Sequence, residues 1–201
     1  FSIFDFKTKL IIRISGTPKL NFVRKFFWKI LSKKVYKITC PTNSTYEKLK
    51  KMKIFSEDKL EILYDPIISV KKINKKKLEE IDEKFRNDDF ILGIGRLTKQ
   101  KNFKFLIKSF YEINLRFPKL KLVILGEGEE RAVLEKLINN LELKGKVFLE
   151  GYKKNVFNYI YRSKCFVSSS LYEDPGFVII EAGFLNKIVF AADSKTGPSE
   201  I

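Results

Sequence analysis

Histidine is missing altogether from this chain of 201 residues, and cysteine occurs only twice, at Cys40 and Cys165. Without histidine there is no imidazole to serve as a general base near neutral pH, and two distant cysteines do not make a zinc cage. Any chemistry must therefore come from carboxylates, lysine, arginine, hydroxyls and the backbone. Each cysteine lies in a strand-like apolar run, which predicts a small buried residue in a reducing compartment rather than a disulfide. No uninterrupted apolar run approaches the roughly 18–20 residues of a membrane-spanning helix. The N-terminal stretch FSIFDFKTKLIIRISG is broken by charges and carries no signal-peptide pattern. It opens on Phe rather than Met, which is the expectation for a processed chain or a fragment.

What is present is enough for a folded protein. A hydrophobic content of 44% against 32% charged residues places the chain among globular rather than disordered sequences. The length suits one large domain or two small ones. The net charge of +16 is uneven: residues 1–87 carry 22 Lys/Arg against 10 Asp/Glu, and the remainder 18 against 14. The first part would feel an anionic partner most strongly. A general lysine bias of the composition explains the same numbers equally well.

Residues 8–15 read as a strand closed by the turn signal Ser15-Gly16-Thr17-Pro18. The spacing then predicts a helix over 19–34, with Leu20, Val23, Phe27, Ile30 and Leu31 on one face and Lys25, Lys29 and Lys33 on another. Phe26 and Trp28 widen the apolar side. This pattern fits a core-facing helix, and also an element lying on an anionic membrane surface. A strand over 35–40, a helix over 44–53 capped by Ser44 and Glu47, and a strand over 60–64 follow. The stretch 69–87 reads as an interdomain connector that becomes a polar helix near 75–86. From Phe90 onward strands and helices alternate: strands over 90–94, 121–125, 147–150, 165–168 and 187–191, with helices between them. Such alternation predicts an α/β fold, a Rossmann-like parallel sheet with ligands outside the carboxyl ends of its strands.

Two of those carboxyl-end loops carry candidate chemistry. The first, Gly95 to Asn102, places Arg96 and Lys101 before a helix, a planar fork and a point charge suited to a diphosphate. The second, in SSSLYEDPGFVIIEA (168–182), sets Glu173 and Glu181 either side of a loop that turns into a helix at Gly176 and Phe177. Unpaired amides at a helix start favour an anion, and carboxylates accept from hydroxyls. Phosphate with hydroxyls indicates a nucleotide or a sugar phosphate.

Together with Val123 to Gly128 and Val147 to Tyr152, these loops resemble glycosyltransferase family 4, of the GT-B fold. The correspondence runs through nearly all of residues 88–201, and the E-x7-E pair Glu173/Glu181 is its most specific part. Residues 35–66 resemble the end of that family's acceptor domain. The resemblance implies domains at 1–68 (acceptor side) and 88–201 (donor side, cut short) around the 69–87 connector. It implies a retaining transfer of sugar from a nucleotide-diphosphate donor to an acceptor hydroxyl, in cell-surface polysaccharide or glycolipid assembly. Arg96 and Lys101 would hold the diphosphate in place of a metal, Glu173 and the amides around Gly176 and Phe177 would contact the sugar, and Glu181 the ribose. Gly95 lines the phosphate loop, and Gly151 and Tyr152 fall where the family meets the nucleobase. The partners implied are a nucleotide sugar and a saccharide or lipid-linked saccharide acceptor, met in the cytoplasm or on the inner face of the membrane. No cofactor and no metal are expected.

There are departures from the family pattern. The family's usual Glu-Gly-Phe-Gly-Leu-Pro is here Glu173-Asp174-Pro175-Gly176-Phe177-Val178, which leaves the sugar open. Its Asn-Gly after the interdomain strand is Asp65-Pro66. Much of the acceptor domain and the last elements of the donor domain have no counterpart, so this stretch alone is expected to be inactive. Rival readings are a GT-B sugar-nucleotide epimerase and a non-enzymatic basic module on membrane or, less favoured, nucleic acid.

Overall fold

The computed structural model describes residues 8–16, 18, 20–194 and 197–201. Thr17 of the turn signal, Lys19 and the first seven residues lie outside them. The chain divides after Pro66 into two compact units, with Ser199–Ile201 grouped with the first.

The first unit is a three-stranded parallel sheet, in order β1 (Ile11–Arg13), β2 (Lys37–Cys40), β3 (Leu60–Ile62). Helix α1 (Phe22–Leu31) joins β1 to β2, and α2 (Asn43–Lys51) joins β2 to β3. Its core is Val35, Ile38, Cys40, Leu49, Ile54, Phe55 and Leu60, with Trp28 packed edge-on against Phe55. Cys40 is buried, as its apolar setting predicts, and its thiol donates to the Glu61 carbonyl at 3.6 Å.

Two details differ from the sequence expectations. Helix α1 is capped by Asn21 and buries none of its residues. Most of the face predicted to meet the core is exposed, with Val23 58% and Phe27 55% accessible, and only Leu20, just before the helix, and Trp28 lean on the core. Helix α2 starts one residue early, and its cap is Thr42, whose hydroxyl accepts from the Thr45 N–H at 3.2 Å. The Ser44/Glu47 capping box does not form. The N–H groups of Asn43 and Ser44 are instead taken by the Glu200 carboxylate at 2.7 and 2.8 Å.

The second unit begins with α3 (Val70–Lys76). The polar helix expected near 75–86 is absent: after α3 there is only a single 3-10 turn over Glu83–Phe85. Ile73, Ile81 and Phe85 drop into the core from this stretch, which favours an extended path that seats each apolar residue separately. Then follow β4 (Phe90–Ile94), α4 (Phe103–Arg116), β5 (Lys121–Leu125), α5 (Arg131–Asn140), β6 (Val147–Leu149), α6 (Phe157–Arg162), β7 (Cys165–Ser168), α7 (Phe177–Phe184) and β8 (Ile188–Ala191). All five strands are parallel, in order β6-β5-β4-β7-β8.

The central strands β4 and β5 are buried on both faces, which is why they read as nearly unbroken apolar runs. Phe90, Leu92, Val123 and Leu125 point to one side with Tyr159, Ile160, Ile179 and Ala182. Ile91, Leu122 and Ile124 point to the other with Leu106, Ile107, Phe110 and Leu134. This is the period of two expected along a strand. The order reverses between β4 and β7: the chain moves outward through β5 and β6, then returns to the other side of β4. A crevice opens at the carboxyl ends of strands where such a reversal occurs. Among the described residues no helix is long and apolar enough to cross a membrane.

Candidate functional site

The loops that leave β4 and β7 meet at this reversal point. The β4 loop crosses Gly95 and Arg96, takes a 3-10 turn over Lys99–Lys101, and enters α4 through Asn102 in the left-handed region. The β7 loop carries Ser169, Ser170 and Glu173 and reaches Gly176, also left-handed at φ +94°, before α7. A residue with a Cβ is disfavoured there, so glycine fits the sharp entry to the helix.

Hydrogen bonds join the two loops. The Leu171 N–H donates to the Gln100 carbonyl at 2.9 Å, and the Gln100 side-chain amide donates to the Tyr172 carbonyl at 2.9 Å. Ser169 donates from its hydroxyl to the Lys101 carbonyl at 2.8 Å. At the centre the Lys101 ammonium pairs with Glu173 Oε1, the same oxygen that accepts from the Ser170 hydroxyl at 2.6 Å. Glu173 is 9% exposed and Ser170 3%. A carboxylate buried this deeply needs both a countercharge and hydrogen bonds to offset the loss of water around it.

Glycines let the neighbouring chain come close. A Cβ on Gly95 would sit 2.8 Å from the Lys101 Cε, so its absence lets the lysine stem lie along the loop. A Cβ on Gly126 would overlap the Gly95 carbonyl oxygen, and one on Gly128 would press on Leu97. The Gly126 N–H donates to the Gly151 carbonyl at 2.7 Å, and the Leu97 N–H to the Glu127 carbonyl at 2.9 Å. Arg131 grips Glu127 through two N–H···O bonds and reaches the Leu149 carbonyl at 3.2 Å. The loops after β4, β5 and β6 are thereby fastened into one platform.

The structure therefore brings together Gly95, Lys101, Glu173 and Gly176, and ties Gly151 to the same platform through Gly126. Arg96 is exposed on the β4 loop and makes no ion pair or side-chain hydrogen bond among the described residues. Tyr152 is 79% exposed and Phe177 is also open to solvent. Glu181 is half-buried on α7, and burial pushes its carboxyl above the usual carboxylate range against the pull of Lys72. Cys165 sits in β7 as a free thiol, its pKa pushed up by burial. Sequence reasoning missed Ser169, Ser170 and Gln100. Serines beside a carboxylate carry no spacing signal, and the contact of Gln100 with Leu171 and Tyr172 is visible only in the fold.

The stretch 74–201 matches the family model of glycosyl transferases group 1. The chain belongs to that family. Among curated relatives, a glycosyltransferase of Methanocaldococcus jannaschii is 42% identical over 139 residues, which is 67% of this chain and 34% of that protein. The N-acetylgalactosamine-N,N'-diacetylbacillosaminyl-diphospho-undecaprenol 4-alpha-N-acetylgalactosaminyltransferase of Campylobacter jejuni is 33% identical over 207 residues, 99% of this chain and 55% of that protein. The chain thus spans about a third of the first and about half of the second. Among solved structures, Anabaena HepE in complex with UDP-glucose superposes with a TM-score of 0.75 at 18% identity, covering 96% of this chain and 55% of that one. TarM superposes at 0.73 with 22% identity, covering 96% and 38%. At such identities the likeness is one of fold, and it is the GT-B glycosyltransferase fold.

Proposed function

We propose that the protein of which this chain is part transfers a sugar from a nucleoside-diphosphate donor to an acceptor hydroxyl, with retention at the sugar carbon. One observation carries the reading: a lysine and a buried carboxylate are paired at the strand-order reversal, where α/β sheets bind nucleotides. The bond from the sugar to the diphosphate breaks with its electron pair going to the diphosphate. Lys101 and Arg96 neutralise that growing charge, the place a divalent cation would otherwise take. Glu173, with the backbone at Gly176 and Phe177, faces the sugar. Glu181, the second acid of the E-x7-E pair, accepts from the ribose, and Gly151 and Tyr152 border the base. These roles are those of glycosyltransferase family 4.

The Anabaena relative in fold was solved with UDP-glucose, and the Campylobacter relative carries a diphospho-undecaprenol acceptor in its name. The first supports a uridine nucleotide sugar as the donor to try first, and the second a lipid-linked acceptor. The test is turnover of UDP-glucose, UDP-N-acetylglucosamine and UDP-N-acetylgalactosamine by the full-length protein. Loss of UDP release in Lys101→Ala and Glu181→Ala supports the assignment. Undiminished release in both would remove it, and a product formed without any acceptor would favour the epimerase.

A second reading concerns where the reaction takes place. Along α1, successive residues step by about 100°. Phe22, Phe26, Ile30, Val23 and Phe27 therefore occupy one continuous exposed arc, bordered by Lys25 and Lys29. An apolar arc flanked by cations suits the surface of an anionic bilayer. It would place the enzyme on the cytoplasmic face, beside a lipid-linked acceptor.

A further inference from the structure

We propose that Ser170 is a positioning residue, which acts on the reaction only through the Lys101–Glu173 pair. The proposal rests on the reading of that pair as the donor site. Coulomb attraction between Lys101 and Glu173 has little direction of its own, and both side chains have several rotatable bonds. Left to attraction alone, the pair would sample many geometries, since holding long side chains in one arrangement costs entropy.

The β7 loop supplies that direction from two consecutive serines. Ser170 donates to Glu173 Oε1 at 2.6 Å, so the oxygen that faces Lys101 is held on a second side. Ser169 donates to the Lys101 carbonyl at 2.8 Å, which fixes the root of the lysine rather than its tip. Both serines are buried, and a serine hydroxyl turns about a single side-chain torsion. Gly95 closes the third side of the lysine stem. The carboxylate is thus aimed by a short, stiff donor on its own loop, while the lysine is anchored at its backbone by the neighbouring serine. Neither serine is assigned any contact with the nucleotide sugar.

The experiment is a double-mutant cycle on the full-length protein, with UDP release from the UDP-sugar that turns over best as the rate, UDP affinity by calorimetry, and Tm. A hydrogen bond to a charged group is strong enough that Ser170→Ala should lower kcat about tenfold or more. Donor KM and UDP affinity should stay close to wild type, while Tm falls only by what the loss of one buried hydrogen bond implies. In a Glu173→Gln background the same change should alter kcat by less than about twofold, because residues that act as one unit are not additive. A full tenfold loss persisting in that background would overturn the proposal while leaving the site reading intact. So would a wild-type kcat in Ser170→Ala. Undiminished turnover in Glu173→Gln itself would remove the site reading, and this inference with it. Should Ser170→Ala fail to fold, Ser170→Cys keeps the shape, with a slightly larger atom and only a weak donor, and is judged by the same cycle.

Discussion

Lys101 and Glu173 lie 72 residues apart in sequence and meet as an ion pair across the junction of the β4 and β7 loops. Each element that brings them there has its own physical cause. The parallel order sets β7 beside β4, Gly95 clears a channel for the lysine stem, and the left-handed Gly176 turns the chain away after the acid. Removing either partner leaves the other charge partly buried and uncompensated. Lys101→Ala and Glu173→Gln should each reduce kcat by about 100-fold or more, the scale seen when one charge-stabilising donor is lost. The double variant should be little worse than either single one, as measured by UDP release.

Glu181 gives a pH signature. Burial raises its pKa in the folded protein, so folding favours the protonated form and the charged form opposes it at higher pH. Glu181→Gln should therefore hold or raise Tm at neutral pH while weakening UDP binding. In the wild type, UDP affinity should fall as the pH drops through this raised value, earlier than for an ordinary glutamate. Lys72 pulls the pKa down, so Lys72→Ala should move the loss to higher pH still. Calorimetric titration of UDP across the acid range reads both; a Glu181→Gln variant with the wild-type pH dependence would end the assignment.

Gly126→Ala should destabilise by about 3 kcal/mol, from an unfavourable backbone region and overlap with the Gly95 carbonyl together. Gly145 also has a positive φ but open space around it, so Gly145→Ala should cost only about 1 kcal/mol. Denaturant melts of the two variants separate strain from collision.

Thr42→Ala should cost about 1 kcal/mol through loss of the α2 cap. Ser44→Ala should stay within about 0.5 kcal/mol, because its hydroxyl does not cap the helix. The reverse ranking would restore the Ser44/Glu47 box.

For α1, replacing Phe22, Phe26, Phe27 and Ile30 by serine should abolish sedimentation of the protein with vesicles containing anionic lipid, without lowering Tm. Binding of the wild type should weaken as salt rises. Equal sedimentation with neutral and anionic vesicles would remove the electrostatic part of the idea, and salt-sensitive binding to duplex DNA instead would favour nucleic acid.

The central strands of the second unit were legible in the sequence because they are buried on both sides. FILGI is apolar along its length, and KLVIL is apolar after its first residue. The stretch near 75–86 misled because lysines and glutamates favour helix while Ile81 and Phe85 repeat at a helical interval. Core space decided against it. The face of α1 misled for the opposite reason: amphipathic spacing says that a face is apolar, not that anything covers it. The acids and bases of the site were legible through family likeness. Their mutual arrangement was not, since Ser169, Ser170 and Gln100 act across loops that only the strand order brings together.

The glycine contacts between the loops bear on how specificity can change. Gly126 lies against Gly95, Gly128 against Leu97, and Gly197 against the carbonyls of Pro175 and Glu173. A loop whose neighbour occupies the space of its missing side chain cannot be exchanged alone. Grafting 173–176 from a relative with the Glu-Gly-Phe-Gly pattern would change one part of an interlocked set while its complements stayed behind. New donor preferences in this scaffold should therefore be inherited as matched groups of loops, and single-loop chimeras should lose fit before they gain a new sugar.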